Sequence, residues 1–293
     1  MKYEIWPKIK EQKAMRTLRS LKMQLYRMFV SPVPAVCVLM ILALCCVTNV
    51  YSDPESGKGY SVATMLLSGD IAQFAADNQV VRENVVRSAM SSWLIMFAPV
   101  ICVLPFVKSV SSEKSSLKRF EMHRCGKGVF AVTRLLADML TSAVILCVGY
   151  GLFIALAFGL LPSAAEVDEN IVRAALHGMS FAGFYFSRLA GAFIMGAVCA
   201  LPAYIISIFS DNKYMMTCIP FMLLHFYNIF IDRLSKSISA DGRKCLHFFS
   251  FSGIFKAFES SAELYVILTV VMLAVISAVI AIVVLHRRCD CCE

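Results

Sequence analysis

The stretch PFVKSVSSEKSSLKRFEMHRCGKGVF, residues 105–130, separates two strongly apolar runs of the chain. A link between two membrane-crossing helices needs only a few polar residues, whereas this one, called the connector below, is long enough for several helical turns. Six basic side chains lie within it: Lys108, Lys114, Lys118, Arg119, Arg124 and Lys127. A short basic helix between two apolar segments indicates a surface that another molecule contacts.

The composition is typical of a membrane protein. The 293 residues are 59% hydrophobic and 16% charged, whereas soluble domains are about 45–50% apolar and about 25% charged. A membrane-crossing α-helix needs about 20 mostly apolar residues. The apolar runs therefore predict an all-α membrane protein with six transmembrane helices, at about residues 33–50, 90–107, 129–161, 181–209, 214–231 and 264–285.

Two of the predicted spans are unusual. The third is longer than a bilayer requires, so we expect it to tilt or to project into the cytoplasm. The fifth is the least regular, because Pro220, His225 and Asn228 interrupt its apolar run.

Lysine and arginine near the span ends predict the orientation. Basic residues are dense before the first span and in the connector, whereas residues 51–88 are net acidic. The N-terminus and the connector are therefore predicted to be cytoplasmic, and six spans return the C-terminus to the same side. One loop opposes this orientation, since five basic residues would lie outside: Arg233, Lys236, Arg243, Lys244 and Lys256.

The net charge of +8 is explained by this orientation and by contact with anionic lipid. We expect a multi-pass protein of the plasma membrane, with membrane lipids as neighbours and no nucleic acid as partner.

An amphipathic helix is predicted before the first span. Apolar residues recur along one helical face, with lysines and arginines on the remaining surface; they are Ala14, Leu18, Leu21, Leu25 and Met28. Such a helix lies at the membrane interface, with its apolar side in the headgroup boundary; a plain cytoplasmic tail is the alternative. Because Pro32 and Pro34 break the helix, residues 1–32 form a basic interfacial segment ahead of a six-span domain at residues 33–286.

Three charged residues fall within predicted spans, where an ionisable side chain usually faces the bundle or a partner. Arg134 and Asp138 are four residues apart near the cytoplasmic end of the third span and can pair as an interface anchor. Arg188 lies about two turns into the fourth span, where its side chain can reach outward to the interface or contact a substrate.

No enzyme motif is present in the sequence. Zinc-protease, nucleophile-elbow, dinucleotide and phosphate-loop spacings are all missing, and the five histidines are scattered. We therefore predict that the chain is not an enzyme and has no catalytic, cofactor-binding or metal site. The cytoplasmic tail, residues 287–293, is rich in cysteine; its thiols are either free or reversibly palmitoylated, and they are Cys289, Cys291 and Cys292.

The connector has the features of a short amphipathic helix parallel to the membrane. Ser111 or Ser112 can cap its start, where the positive end of the helix dipole stabilises the negative charge of Glu113. Leu117 and Phe120 share one face, and basic residues surround it. Two glycines at 126 and 128 are expected to stop this helix before the third span.

This order of elements resembles the membrane subunits of ABC transporters, in particular the ABC-2 type permease family. The resemblance rests on a basic helix ending in LYRMFVSPVPAV, a first span, an external loop, a second span, and then SVSSEKSSLKRFEMHRCGKGVFAVTRLLADML. The family often has Gly-Thr after the Glu that follows the second span, and this chain has Lys-Ser there.

The resemblance implies a partner, because such permeases work with a separate ATPase subunit. Glu113 matches the Glu of the family, residues 117–124 match its docking segment, and Arg134 matches the basic start of its third span. The coupling residues would be Glu113, Leu117, Lys118, Arg119, Phe120 and Arg124. ATP and Mg²⁺ would bind the ATPase subunit, and a second permease subunit, identical or homologous, would complete the transporter.

The expected function is thus export of a substrate such as a lipid, a drug or a peptide. A membrane scaffold or sensor that does not transport is the alternative, with the connector holding lipid. An intramembrane enzyme is a third reading, for which the sequence offers no nucleophile, base or metal set.

Overall fold

The structure is a computed structural model of the chain. It describes residues 5–52, 59–67, 80–90, 93–112, 120–121, 123–162, 176, 180–210 and 212–237, together with positions 271, 274–275, 277–279 and 282.

The segment predicted to be amphipathic forms a long helix that ends at a sharp break. Helix α1 spans Ile5–Phe29 and helix α2 spans Val33–Val47. Between them the chain turns by 62°, because Pro32 has no amide hydrogen to continue α1 and Pro34 lies in the first turn of α2. The Ser31 hydroxyl donates to the Met28 carbonyl at 3.2 Å and covers the end of α1.

Helix α1 divides its apolar stripe between two environments. Met28 is buried, and Leu21 and Leu25 pack on the same cluster of the bundle. Leu18, by contrast, is 67% exposed, and so is Tyr26. The prediction of one uniform lipid-facing stripe is therefore incomplete, since neighbouring helices compete with lipid for the buried half of the stripe.

Helix α2 is shorter than the predicted first span. Its 15 residues extend about 22 Å at 1.5 Å per residue, and Thr48 then turns to extended backbone. Strand β1, Asn49–Ser52, follows at once and pairs antiparallel with β2, Gly59–Ser61. This hairpin was not predicted, and it ends the helix three residues before position 50.

Two short helices lie after the hairpin. Helix α3 spans Val62–Leu67 and helix α4 spans Arg82–Ala89. Their apolar residues join the main core of the bundle, among them Val62, Met65, Val85, Val86 and Ala89. In the described residues, the loop between the first two spans thus packs on the bundle and forms no core of its own.

Four further helices form the body of the bundle. They are α5 (Trp93–Ser112), α6 (Lys127–Leu160), α7 (Phe181–Phe209) and α8 (Lys213–Ser237). All four are long and apolar enough to cross a membrane, and the bent pair α1–α2 makes a fifth candidate. The predicted sixth span, residues 264–285, and the tail at 287–293 fall mostly or wholly outside the described residues, although Ala274 and Ala278 pack on the bundle. The described residues thus form a helical multi-pass membrane protein with four to five candidate spans.

Helix α6 is the central element. Its 34 residues extend about 50 Å, and α6 packs against α7, α2, α1 and α5. Gly196 of α7 meets α6 so closely that an added Cβ would lie 2.6 Å from the Ser142 carbonyl oxygen, and Gly149 of α6 meets Ile41 of α2 in the same way. Small residues let helices approach this closely in a membrane, so α6 is held at its middle.

The two ends of the bundle carry different elements. At one end, called the α1 end, Met28, Phe106, Leu135 and Tyr204 form a second buried cluster. At the other, called the α4 end, the hairpin, α3 and α4 cover the main core. Between the ends, the Ser142 hydroxyl donates to the Cys102 carbonyl at 2.8 Å, and so joins α6 to α5.

Candidate functional site

The α1 end of the bundle brings α1, the connector and the start of α6 together. Thr133 of α6 is fully buried, and its hydroxyl donates to the Val129 carbonyl of its own helix at 2.9 Å. The hydroxyl also meets α1 twice: the Ser20 hydroxyl lies 3.1 Å away, and the Gln24 amide donates to it at 3.4 Å. A polar contact thus fixes α1 on the first turns of α6.

A second contact between the same helices lies further along α1. The Thr141 hydroxyl lies 3.3 Å from the Met28 sulfur and donates to the Ala137 carbonyl of its own helix at 2.7 Å, and Met28 is 2% exposed. The contacts run from Ser20 to Met28, so this face of α1 follows α6 over about two turns.

An ion pair connects α1 with the connector. Arg27 lies 2.5 Å from the Glu121 carboxylate, and the Glu121 side chain is 10% exposed. Water screens a partly buried ion pair less than it screens a fully exposed one. Arg27 and Glu121 were not among the predicted site residues; the signal in the sequence was one acidic residue within the basic run KRFEMHR.

The predicted coupling residues divide between described and undescribed parts of the chain. Glu113, Leu117, Lys118 and Arg119 lie outside the described residues. Phe120 is 62% exposed, and Arg124 is also exposed. Beside the buried Glu121, these two side chains therefore face away from the bundle.

Gly126 ends the helical residues of the connector, as predicted. Its φ of +88° lies in the left-handed region, which is strained for any residue with a Cβ. The turn separates the helical residues 123–125 from α6, which begins at Lys127. Gly128 lies within α6 instead of in the turn.

Arg134 and Asp138 lie on one buried face of α6, where they are 7% and 0% exposed. Arg134 places its guanidinium carbon 5.7 Å from the Phe106 ring centre and 5.6 Å from that of Phe130. Neither carboxylate oxygen of Asp138 has a hydrogen-bond partner in the described part of the chain, although Arg134 acts on Asp138 electrostatically. The predicted pair shares a face, but aromatic rings hold its cation.

Arg188 lies near the α4 end, away from the junction at the α1 end. It is 2% exposed, and its guanidinium carbon is 5.0 Å from the centre of the Phe184 ring, one turn back along α7. The side chain thus extends toward the helix end and stays covered instead of reaching solvent.

No group of three His, Cys, Asp or Glu side chains in the described ranges is arranged to hold a metal ion. The described cysteines are free thiols, and those at the helix contacts are buried: Cys37, Cys45, Cys102 and Cys199.

No protein-family model, curated protein or solved structure matches this chain. The junction at the α1 end has an exposed aromatic and basic face on one side, with Phe120 and Arg124, and the anchored helices α1 and α6 on the other.

Proposed function

We propose that the chain is the membrane-spanning permease subunit of an ABC-2 type exporter, driven by ATP that a separate subunit hydrolyses. One observation carries the proposal: the exposed Phe120 and Arg124 flank Glu121, which is paired with Arg27 of α1. A partner that presses on this face would act on α1 through the ion pair.

Helix α1 gives such a force a path into the bundle. Ser20 and Gln24 meet Thr133, and Met28 meets Thr141, so α1 moves with the first turns of α6. Because α6 is one unbroken helix held at its middle by Gly149 and Gly196, displacement of its α1 end turns the whole helix about those contacts. Two such bundles rocking in a dimer would change access across the membrane.

Nucleotide bound to the partner subunit would drive the transport cycle. ATP and Mg²⁺ would bind the ATPase subunit, and the two states of the permease would differ in their affinity for that subunit. ATP binding and hydrolysis would then shift the population between them. The second permease subunit would be an identical or homologous chain.

The α1 end would face the cytoplasm of the cell, with both termini, and the α4 end would face outward across the plasma membrane. The exposed arc of α1 supports this placement, since Arg19 and Lys22 stand among Met15, Leu18 and Tyr26. Such a mixed face fits the boundary of an anionic leaflet. The substrate would be a lipid, a drug or a peptide.

Purification tests the partnership first. Tagged protein would be isolated from native membranes in mild detergent, and the co-purifying proteins identified by mass spectrometry. We expect a stoichiometric soluble subunit with a phosphate loop. A preparation without one, under conditions that keep a control ABC complex intact, would favour the scaffold or sensor instead.

The docking face is tested in the assembled complex. Arg124→Glu and Phe120→Ala should each weaken binding of the ATPase subunit about tenfold, the change in Kd expected when contacts worth about 1.4 kcal/mol are removed, and the ATPase activity of the complex at subsaturating subunit should fall with it. Lys213→Glu is the matched control, because Lys213 is an exposed basic residue at the same end of the bundle but on α8. Wild-type activity in the connector variants, or an equal loss in the control, would contradict docking at this face.

A further inference from the structure

Helix α8 is the least covered of the four long bundle helices in the described part of the chain. Only 17% of its span, Lys213–Ile231, is buried, whereas the spans of α5, α6 and α7 are 44–50% buried. One side of α8 packs on α5 and α7, and this side holds the buried Met216, Pro220 and Ile231. The opposite side is exposed over about four turns.

The exposed side has the spacing with which two helices pack against each other. Five exposed residues follow one another at alternating steps of three and four, the a and d pattern of a heptad repeat. A repeat that averages 3.5 residues keeps such a line facing a partner helix that coils around the first. The line is called the α8 seam, and its residues are Met215, Cys218, Met222, His225 and Ile229.

His225 is a polar member of the seam inside the span, six residues from the nearer end. Its ring stacks on Phe221 with the ring centres 6.0 Å apart, and in the described residues neither ring nitrogen has a hydrogen-bond partner. Lipid tails offer no donor or acceptor, and an imidazole within a span therefore usually faces protein. The seam thus needs a partner that can hydrogen-bond with His225.

A second copy of this chain meets that requirement. A neutral imidazole has one donor and one acceptor nitrogen, so two copies of His225 can bond with each other. In a dimer whose two-fold axis runs along the membrane normal, the α8 helices run parallel and each seam residue meets its own copy, as in any isologous interface. A polar side chain at one seam position fixes the register of such a pair.

We propose that the α8 seam is the interface between two copies of this chain in the membrane, with parallel α8 helices and the two His225 rings in contact. The interface itself stands on the spacing and exposure of α8. Its role in transport rests on the proposed function, in which the second copy is the second permease subunit.

Cys218 is a natural probe of this interface. Its thiol is free and exposed, and matching seam residues of two parallel helices approach closely enough for a disulfide. Membranes that contain the protein are treated with copper phenanthroline, a mild oxidant, and the joined cysteines are identified by peptide mass spectrometry. We expect a covalent dimer linked through Cys218, and Cys218→Ala should abolish this cross-link.

Two neighbouring positions supply the matched control. In the Cys218→Ala protein, Met222→Cys places a thiol in the seam and Leu223→Cys places one beside it; Met222 is 47% exposed and Leu223 is 55% exposed. Position 222 should cross-link about tenfold faster than position 223, which points about 100° away around the helix. The interface is refuted if neither Cys218 nor position 222 joins two chains, or if position 223 reacts as fast as position 222.

The cross-link and the ATPase partner are independent results, because the cross-link needs no ATPase subunit. A stoichiometric ATPase subunit without either seam cross-link would keep the transporter and remove this interface. A seam cross-link without an ATPase subunit would keep the dimer and assign it to the scaffold or sensor.

Discussion

Gly196 shows how strongly the packing of two helices can depend on the absence of a side chain at one position. A Cβ at this position would lie 2.6 Å from the Ser142 carbonyl oxygen and 2.7 Å from the Ala143 Cα. Both are backbone atoms, which cannot move aside as the end of a flexible side chain can. The close approach of α6 and α7 therefore depends on glycine here.

Gly196→Ala should lower the melting temperature of the purified protein by several degrees, since overpacking of this kind costs about 1–3 kcal/mol. Thermal unfolding in detergent, followed by intrinsic fluorescence, measures it. Gly159→Ala is the control, because a Cβ there meets nothing within 4 Å and alanine favours a helix over glycine. Equal melting temperatures for the two variants would mean that the α6–α7 contact adjusts freely.

Arg134 illustrates the limit of pattern reasoning for a single residue. Spacing of four along a helix predicts a contact with Asp138, and the two do share a buried face. The position of the guanidinium between Phe106 and Phe130 depends on a ring from α5, which no pattern within α6 reveals.

Between elements, the ion pair of Arg27 with Glu121 is the contact that transmits force in the proposed mechanism. Arg27→Glu and Glu121→Arg each place like charges together at this contact. The double variant restores opposite charges with their positions exchanged.

Each single variant should lower the free energy of unfolding by about 1 kcal/mol, the scale of a partly exposed pair, and the double variant should recover most of that loss. Unfolding of all four proteins in detergent gives the coupling energy. Simple additivity of the two single effects would mean that the ion pair does not join α1 to the connector.

At the scale of the whole molecule, orientation in the membrane is the feature on which the proposed function depends. Asn84 of α4 and His123 of the connector are both exposed, and they mark the two ends of the bundle. We predict that Asn84→Cys is labelled by a membrane-impermeant maleimide on intact cells. His123→Cys should be labelled only after the membrane is opened.

The pair of variants is its own control, because the two positions should respond in opposite ways. The reverse pattern would place the α1 end outside, and the connector could then not meet a cytoplasmic ATPase.

Much of the helical framework was determined by the sequence. Apolar runs predicted α5 to α8 near their observed bounds, and the run at 181–209 matches Phe181–Phe209. Pro32 marks the break before α2, and Gly126 marks the break after the helical residues of the connector. These features act through the few residues around them, because desolvation of the backbone in lipid forces apolar runs into helices and proline and glycine change the local backbone.

Which side chains meet depends on how the helices pack against one another. Gln24 reaches Thr133 across 109 positions of the chain and Tyr185 reaches Glu83 across 102, and the apolar stripe of α1 is shared between lipid and bundle. The hairpin that shortens α2 depends in the same way on pairing Tyr51 with Tyr60. Such contacts depend on how the helices pack in three dimensions, and local sequence patterns carry no record of that packing.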